Sequence, residues 1–271
     1  MPEGDTVFRT ARILHRALAG RRLTAADLRV PHLATAALAG QTVVECASRG
    51  KHLLLRLRAD GGPALTLHSH LGMEGSWRVY AVGERWRPYR RDLIRAVLRT
   101  PDTVAVGYRL TRLALIPTAD EAELVGHLGP DLLGPAWDPA EAVRRLSRHP
   151  TEPIADALRE QRNLAGIGNV YCSEVLFLRG VWPGTPVAQV GNLTRLVTLA
   201  HQLLWANRDR TVRSTTGSLR RGEQTYVYGR AGRPCRRCTT PVRMDTSAER
   251  ITFWCPVCQP DPAHPVTRRS P

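Results

Sequence analysis

The chain has 271 residues, with 39 Lys and Arg against 24 Asp and Glu, a formal charge of +15 at pH 7. Such a surplus attracts phosphate, and equally membrane surfaces and acidic proteins; the cysteine finger near the C-terminus makes nucleic acid the expected partner. No apolar run reaches the roughly eighteen residues of a membrane-spanning helix. The first turns, with Glu3, Asp5, Arg9, Arg12 and Arg16, lack the apolar stretch of a secretion signal. A monomer in a reducing cytoplasm is expected, with Cys46 and Cys172 as free buried thiols.

In chain order, Asp5 or Thr6 caps a helix whose apolar positions Val7, Ala11, Leu14 and Leu18 follow helical spacing up to Gly20. From Leu23 to Pro117 the pattern is strand-like, with segments at 42–47, 52–58, 64–70, 75–82, 92–99, 103–108 and 112–116 broken by Gly, Pro and Asp. Helical patterns follow at 139–148, 153–161, 170–179 and 193–206. The expected fold is α+β: an N-terminal helix with a two-layer β-sandwich over 1–118, a helical domain over 119–222, a metal finger over 223–259 and a disordered tail over 260–271.

Four features carry chemistry. Cys235-x2-Cys238 and Cys255-x2-Cys258, sixteen residues apart, suit one tetrahedral Zn2+ of the structural, closed kind. A redox pair is the competing use of a Cys-x-x-Cys turn, but two turns at ribbon spacing select the metal. Second, 38 of the 39 basic residues are Arg and the remaining one is Lys51. Either a general Arg bias spared it by chance, or a compact ammonium is needed there, against a phosphate or as an amine. The pattern places it at the start of a strand after a turn.

Third, Gly166-Ile167-Gly168-Asn169 leads into a new helix. With Asn169 as N-cap it is either a plain interhelical turn or a seat for one backbone phosphate. Fourth, removal of Met1 exposes Pro2, a secondary amine followed by the carboxyl group of Glu3. An amine at the positive end of a helix loses its proton more easily and becomes a nucleophile, and attack on a sugar C1′ gives an iminium that acts as an electron sink. Proline and an acidic residue are also ordinary at a helix start.

Met1-Pro2-Glu3-Gly4-Asp5-Thr6, Gly50-Lys51-His52-Leu53, His70-Leu71-Gly72-Met73, Leu128-Gly129-Pro130-Asp131-Leu132, the run from Leu164 to Tyr171 and the finger occur in one order. Together they resemble the formamidopyrimidine-DNA glycosylase and endonuclease VIII family over residues 1–258. The Pro-Glu-Gly start and Gly75-Ser76-Trp77-Arg78-Val79 look most like the second endonuclease VIII of actinobacterial type. The resemblance implies a helix-two-turn-helix DNA-binding domain and a bifunctional DNA glycosylase/AP lyase of base-excision repair acting on damaged DNA. In that scheme the damaged nucleotide is flipped out, Pro2 forms a Schiff base, Glu3 moves protons, and β,δ-elimination cuts the strand.

By family position Lys51 meets a lesion-side phosphate and assists base loss, Asn169 and Arg250 hold the DNA backbone, and Met73 fills the gap left by the flipped base. Thr6 and Asp5 depart from the commoner glutamate and proline. No Arg-Arg-Phe-Gly loop occurs between 80 and 116 unless Tyr108-Arg109 replaces it, so oxidised pyrimidines are expected ahead of 8-oxoguanine. The alternatives are an 8-oxoguanine/formamidopyrimidine enzyme, a non-catalytic zinc-finger DNA-binding protein, which leaves Pro2-Glu3 unexplained, and a zinc deaminase, which lacks an upstream His-x-Glu or Cys-x-Glu. His68 and His70 read as packed or hydrogen-bonded.

Overall fold

Helix α1 (Gly4–Leu18) buries Val7, Ala11, Leu14 and Leu18 on one face, as the spacing predicts. Its N-cap is Glu3, not Asp5 or Thr6, because Glu3 is already extended while its carbonyl accepts the Val7 N–H at 3.0 Å. The protein is described here from a computed structural model over residues 1–84, 91–246 and 250–262. Of the expected tail, 263–271 lie outside the described residues. The chain forms two compact units, 1–127 and 128–271.

In the first unit, β1 (Ala25–Leu28) is followed by β2 (Thr42–Arg49), β3 (His52–Arg58), β4 (Ala64–His70), β5 (Ser76–Ala81), β6 (Ile94–Arg99), β7 (Thr103–Tyr108) and β8 (Arg112–Pro117). They make two antiparallel four-stranded sheets, β2-β3-β4-β8 and β1-β6-β7-β5. Seven strands were legible as alternation; β1, reading Ala-Ala-Asp-Leu with Leu28 alone buried, carries too little pattern to be seen. One core joins α1 to Val43, Leu53, Leu55, Leu57 and Leu67 of one sheet and Trp77, Ala96, Leu98 and Ala105 of the other. Ile94, Val97, Val104 and Val106 pack together on a separate face with Tyr80 and Tyr108.

The short α2 (Glu121–Val125) is fastened to this sheet by Arg56, whose Nε and Nη2 reach the two Glu121 carboxylate oxygens at 2.8 and 2.7 Å. The two-pronged geometry of a guanidinium on a carboxylate fixes orientation as well as distance. It also holds the Glu121 carboxyl below its ordinary range, chiefly through that hydrogen bond.

The second unit carries α3 (Pro139–Leu146), α4 (Ile154–Arg159), α5 (Asn169–Arg179) and α6 (Leu193–Asn207), then a small hairpin of β9 (Arg243–Asp245) and β10 (Thr252–Trp254). Asp138 caps α3 and Asn192 caps α6 with side-chain hydrogen bonds, which is why those starts were legible. The segment 160–168 between α4 and α5 folds onto the Leu128–Leu132 run: Gly129 N–H donates to Gln161 O, Ala165 N–H to Pro130 O and Leu132 N–H to Ala165 O. A Cβ on Gly129 would lie 2.6 Å from the Arg162 carbonyl oxygen, so this approach needs glycine.

Glu174 of α5 is fully buried. Its carboxylate accepts backbone N–H groups of Tyr226 (2.7 Å), Val227 (2.8 Å) and Tyr228 (2.9 Å), and the Thr215 hydroxyl. These bonds hold an irregular stretch against α5, where Val227 packs with Phe177, Phe253, Cys235 and Cys255. Glu174→Gln turns an amide donor toward N–H donors, and is expected to cost on the order of 3 kcal/mol. Thermal unfolding compared with wild type checks this; an unchanged midpoint would deny Glu174 its anchoring role.

Candidate nucleic-acid interface and metal centre

Each unit holds one group of candidate residues. In the first, Pro2 is half-buried and Glu3 fully buried at the start of α1. That helix packs on β2 and β3, whose two-residue connection is Gly50-Lys51. Lys51 thus occupies the turn itself and not the first strand position: the ladder pairs Arg49 with His52 and leaves both residues outside it. Gly50 takes φ +58° at the first turn position, where a tight hairpin turn requires glycine.

Strand registry then sets His52 opposite His70 and His70 opposite Arg112, so three adjacent strand ends form one basic row next to Lys51. His52 lies within ring contact of three other imidazoles: stacked on His68 at 5.1 Å, and edge-on to His70 at 5.4 Å and His127 at 6.4 Å. His52 Nδ1 and His68 Nε2 are 2.9 Å apart. Burial first, and then the neighbouring imidazoles and Arg112, push His52 down to about 3 and His68 down to about 4. His70 is lowered by burial, then by Lys51 and Arg112.

The Gly72 N–H donates to His70 Nδ1 at 3.0 Å, which leaves the proton of the neutral ring on Nε2 as a donor. His68 and His70 are hydrogen-bonded, as expected. The part of His52 and His127 in this cluster was not legible, because it depends on cross-strand registry and on a residue far along the chain.

Met73 is 61% exposed in the turn between β4 and β5, suited to reaching outward and not to core packing. Beside it Glu74 pairs with Arg109, a non-glycine residue at φ +47° in the β7–β8 connection. Such a backbone is strained for a residue with a Cβ. Of the 80–116 stretch, where the sequence carries no Arg-Arg-Phe-Gly loop, residues 85–90 lie outside the described residues.

In the second unit the α4–α5 turn is clasped by Gln161, whose Nε2 donates to the Arg159 and Ile167 carbonyls and whose Oε1 accepts the Gly166 N–H. Gly166 sits at φ +100°. The N-cap of α5 is Gly168 and Asn169 is the first helical residue, which corrects the capping role expected for Asn169. Its side chain is engaged elsewhere: Oδ1 accepts from Arg159 Nη1 at 2.9 Å, and Nδ2 donates to the Ile251 carbonyl at 2.6 Å. The structure therefore ties Asn169 to the backbone of Ile251, next in sequence to the exposed Arg250.

Cys235, Cys238, Cys255 and Cys258 converge, all four sulfurs lying within 4.8 Å of one another. Separations are 3.8 Å for Cys235–Cys258 and 3.4 Å for Cys238–Cys255. Four sulfurs at Zn–S distance from one centre would stand about 3.8 Å apart. Arg237 N–H points at Cys235 Sγ and Cys258 N–H at Cys255 Sγ, at 3.4 and 3.5 Å, the pattern of thiolates serving as acceptors. Among the described residues this is the one cluster of three or more ligand-type side chains able to hold a metal ion. Cys46 and Cys172 are buried and unbridged, with burial pushing Cys46 up to about 12, so it stays an inert thiol.

Residues 1–114 match the family model of the formamidopyrimidine-DNA glycosylase N-terminal domain. A "probable endonuclease 8 2" of Streptomyces coelicolor is 56% identical over 97% of this chain and 95% of its own. The chain belongs to the formamidopyrimidine-DNA glycosylase/endonuclease VIII family. A DNA-(apurinic or apyrimidinic site) lyase Nei2 of Mycolicibacterium smegmatis is 49% identical over 96% of this chain and 99% of its own. Among solved structures, the Lactococcus lactis family member in complex with oxidised-pyrimidine DNA superposes with a TM-score of 0.77 at 26% identity. That superposition covers 96% of this chain and 100% of that one. Family membership fits the two groups of residues seen here: an N-terminal Pro-Glu on a β-sandwich, and a helix–turn–helix with a four-cysteine finger.

Replacing one ligand, Cys255→Ser, is expected to abolish stoichiometric metal binding and DNA binding together, because the finger core closes over these sulfurs. Metal content by elemental analysis and a DNA titration check this; full DNA affinity in metal-free protein would contradict it. For the imidazole cluster, folded values below the ordinary 6.5 mean that His52 and His68 are neutral in the fold. The stability they contribute is complete above about 6.5 and lost as pH falls toward 4 and 3. His52→Gln is expected to flatten the loss of melting temperature between about pH 7 and pH 5; equal slopes in both proteins would remove His52 from the acid response.

Proposed function

We propose that the protein is a bifunctional DNA glycosylase/AP lyase of base-excision repair, with Pro2 as nucleophile. The observation that carries this reading is Pro2-Glu3 at the head of a fifteen-residue helix, with Glu3 wholly buried, in a chain related over nearly its full length to an AP lyase. Once Met1 is removed, the Pro2 nitrogen lies at the positive end of α1, which favours the free amine. Its lone pair forms a bond to C1′ of the damaged nucleotide as the C1′–base bond breaks, and the departing base takes the electron pair and a proton. The nitrogen then gives up its proton and the C1′–O4′ bond opens, with O4′ taking up a proton, so that C1′ and nitrogen form an iminium, cationic without a proton on nitrogen, that draws electrons from C2′. Loss of the C2′ proton then expels the 3′ phosphate, and a second elimination expels the 5′ phosphate. Glu3 serves as the proton carrier on the sugar.

Lys51, in its turn beside His70 and Arg112, meets the phosphate next to the lesion and assists base departure. Asn169 and Arg250 hold one stretch of backbone, and Met73 enters the space vacated by the base. A single structural Zn2+ is the ion that four thiolates in a closed tetrahedral arrangement suit best; it shapes the finger that carries Arg250 and takes no part in the reaction. The four-sulfur site leaves no position for a catalytic water, which argues against a deaminase.

For the lesion we propose oxidised pyrimidines, on the absence from the sequence of an Arg-Arg-Phe-Gly loop, with Met73 entering the duplex gap. The rival reading within the family is 8-oxoguanine or formamidopyrimidine excision. Duplexes containing thymine glycol, dihydrouracil or 8-oxoguanine separate the two, and equal or faster cutting at 8-oxoguanine would reverse the assignment.

Borohydride trapping on abasic-site DNA is expected to give a covalent adduct at Pro2, absent in Pro2→Gly and present in Lys51→Ala. Mass mapping of the adduct to Lys51 would move the nucleophile. Absence of any adduct, with DNA binding intact, would favour a lesion-binding protein without lyase chemistry.

A further inference from the structure

Arg159, at the end of α4, has a side chain only 4% exposed. Among the described residues its one carboxylate partner is Asp156, half exposed at the surface, at 2.6 Å. Its Nε has no hydrogen-bond partner. Burying a cation this way is costly, and an aliphatic residue would fill the space more cheaply. What the guanidinium does reach is Asn169 Oδ1 at 2.9 Å and Thr252 Oγ1 at 3.4 Å. Arg159 therefore bridges the first residue of α5 and the finger hairpin just after Arg250.

We infer that Arg159 is a positioning residue for DNA binding: it locks the Asn169 amide in one of its two orientations, so that an Nδ2 hydrogen is preset for a backbone phosphate. The inference rests on the reading of Asn169 as a phosphate contact. With Arg159 on Oδ1 and the Ile251 carbonyl taking one Nδ2 hydrogen, the second Nδ2 hydrogen is the donor left over. Turning the amide over would set its NH2 against the guanidinium and its oxygen against the Ile251 carbonyl, two repulsive contacts in place of two attractive ones. The orientation that would repel a phosphate is thereby closed off before DNA arrives, so no free energy of binding is spent on selecting it.

The test is a titration of a duplex containing a tetrahydrofuran abasic-site analogue over a range of salt, together with steady-state cleavage of abasic DNA. The variants are Arg159→Met, Arg159→Lys, Asn169→Ala and the Arg159→Met/Asn169→Ala double. Arg159→Met is expected to raise Kd about tenfold, the worth of one hydrogen bond to a charged group. The loss should appear in KM and not in kcat, and the salt slope should stay as in wild type, because Arg159 makes no phosphate contact of its own. The double variant should bind no more weakly than Asn169→Ala alone. Arg159→Lys keeps the charge without the fork and should bind several-fold more weakly; it decides the matter if Arg159→Met fails to fold.

A salt slope shallower by about one phosphate in Arg159→Met would make Arg159 a direct contact and overturn the inference. So would additive losses in the double variant, or wild-type affinity in Arg159→Lys. If Asn169→Ala itself binds like wild type, the phosphate role of Asn169 falls and this inference falls with it. Weakened Asn169→Ala beside an unaffected Arg159→Lys would sink the inference alone.

Discussion

The buried Glu174 carboxylate is the constraint on which the second unit depends. Three consecutive backbone N–H groups, of Tyr226, Val227 and Tyr228, end on it. Without it they would be buried donors with no acceptor, a larger penalty than the net worth of the bonds themselves. With it, an irregular stretch of chain becomes a fixed floor for the finger. Phe177, Val227 and Phe253 then close over the sulfurs, and Gln259, fully buried, ties the Cys255 N–H to the Val181 carbonyl at the end of α5. The four sulfurs and the segment held by the carboxylate thus meet in one small core, which also takes in Phe253 of the finger hairpin.

The first unit solves a different problem, which is how to hold basic groups side by side. Lys51 and Arg112 repel one another, and a protonated imidazole between them would add to the repulsion. Strand pairing imposes the proximity regardless, and burial keeps His52 and His68 uncharged, so the row carries less charge than its composition suggests. This sheet end sets Lys51, Arg112 and the Nε2 donor of His70 side by side.

Much of this was legible in the sequence because it is written in local patterns. Leu53, Leu55 and Leu57 alternate, Val7, Ala11, Leu14 and Leu18 recur with helical period, and the cysteine pairs have a spacing that few folds use otherwise. What escaped notice depends on residues distant in sequence. Glu174 reads as an ordinary polar position on a helix until residues 226–228 meet it, and Arg159 reads as a surface cation. Asn at the start of a helix usually caps it; at Asn169 the long-range pull of Arg159 and Ile251 outweighs that preference. Lys51 was displaced by one position, from strand to turn, because alternation marks a strand's interior better than its ends.

That single position has a consequence for how this protein can vary. A two-residue connection between β2 and β3 has no slack, and side chains alternate faces along a strand. One residue gained or lost there would slide β3 against its neighbours, sending Leu53, Leu55 and Leu57 to the opposite face and driving Arg56 into the apolar layer. The amine beside the imidazole row is therefore bound to the core by arithmetic: the number of residues in this turn is set by the strands on either side of it.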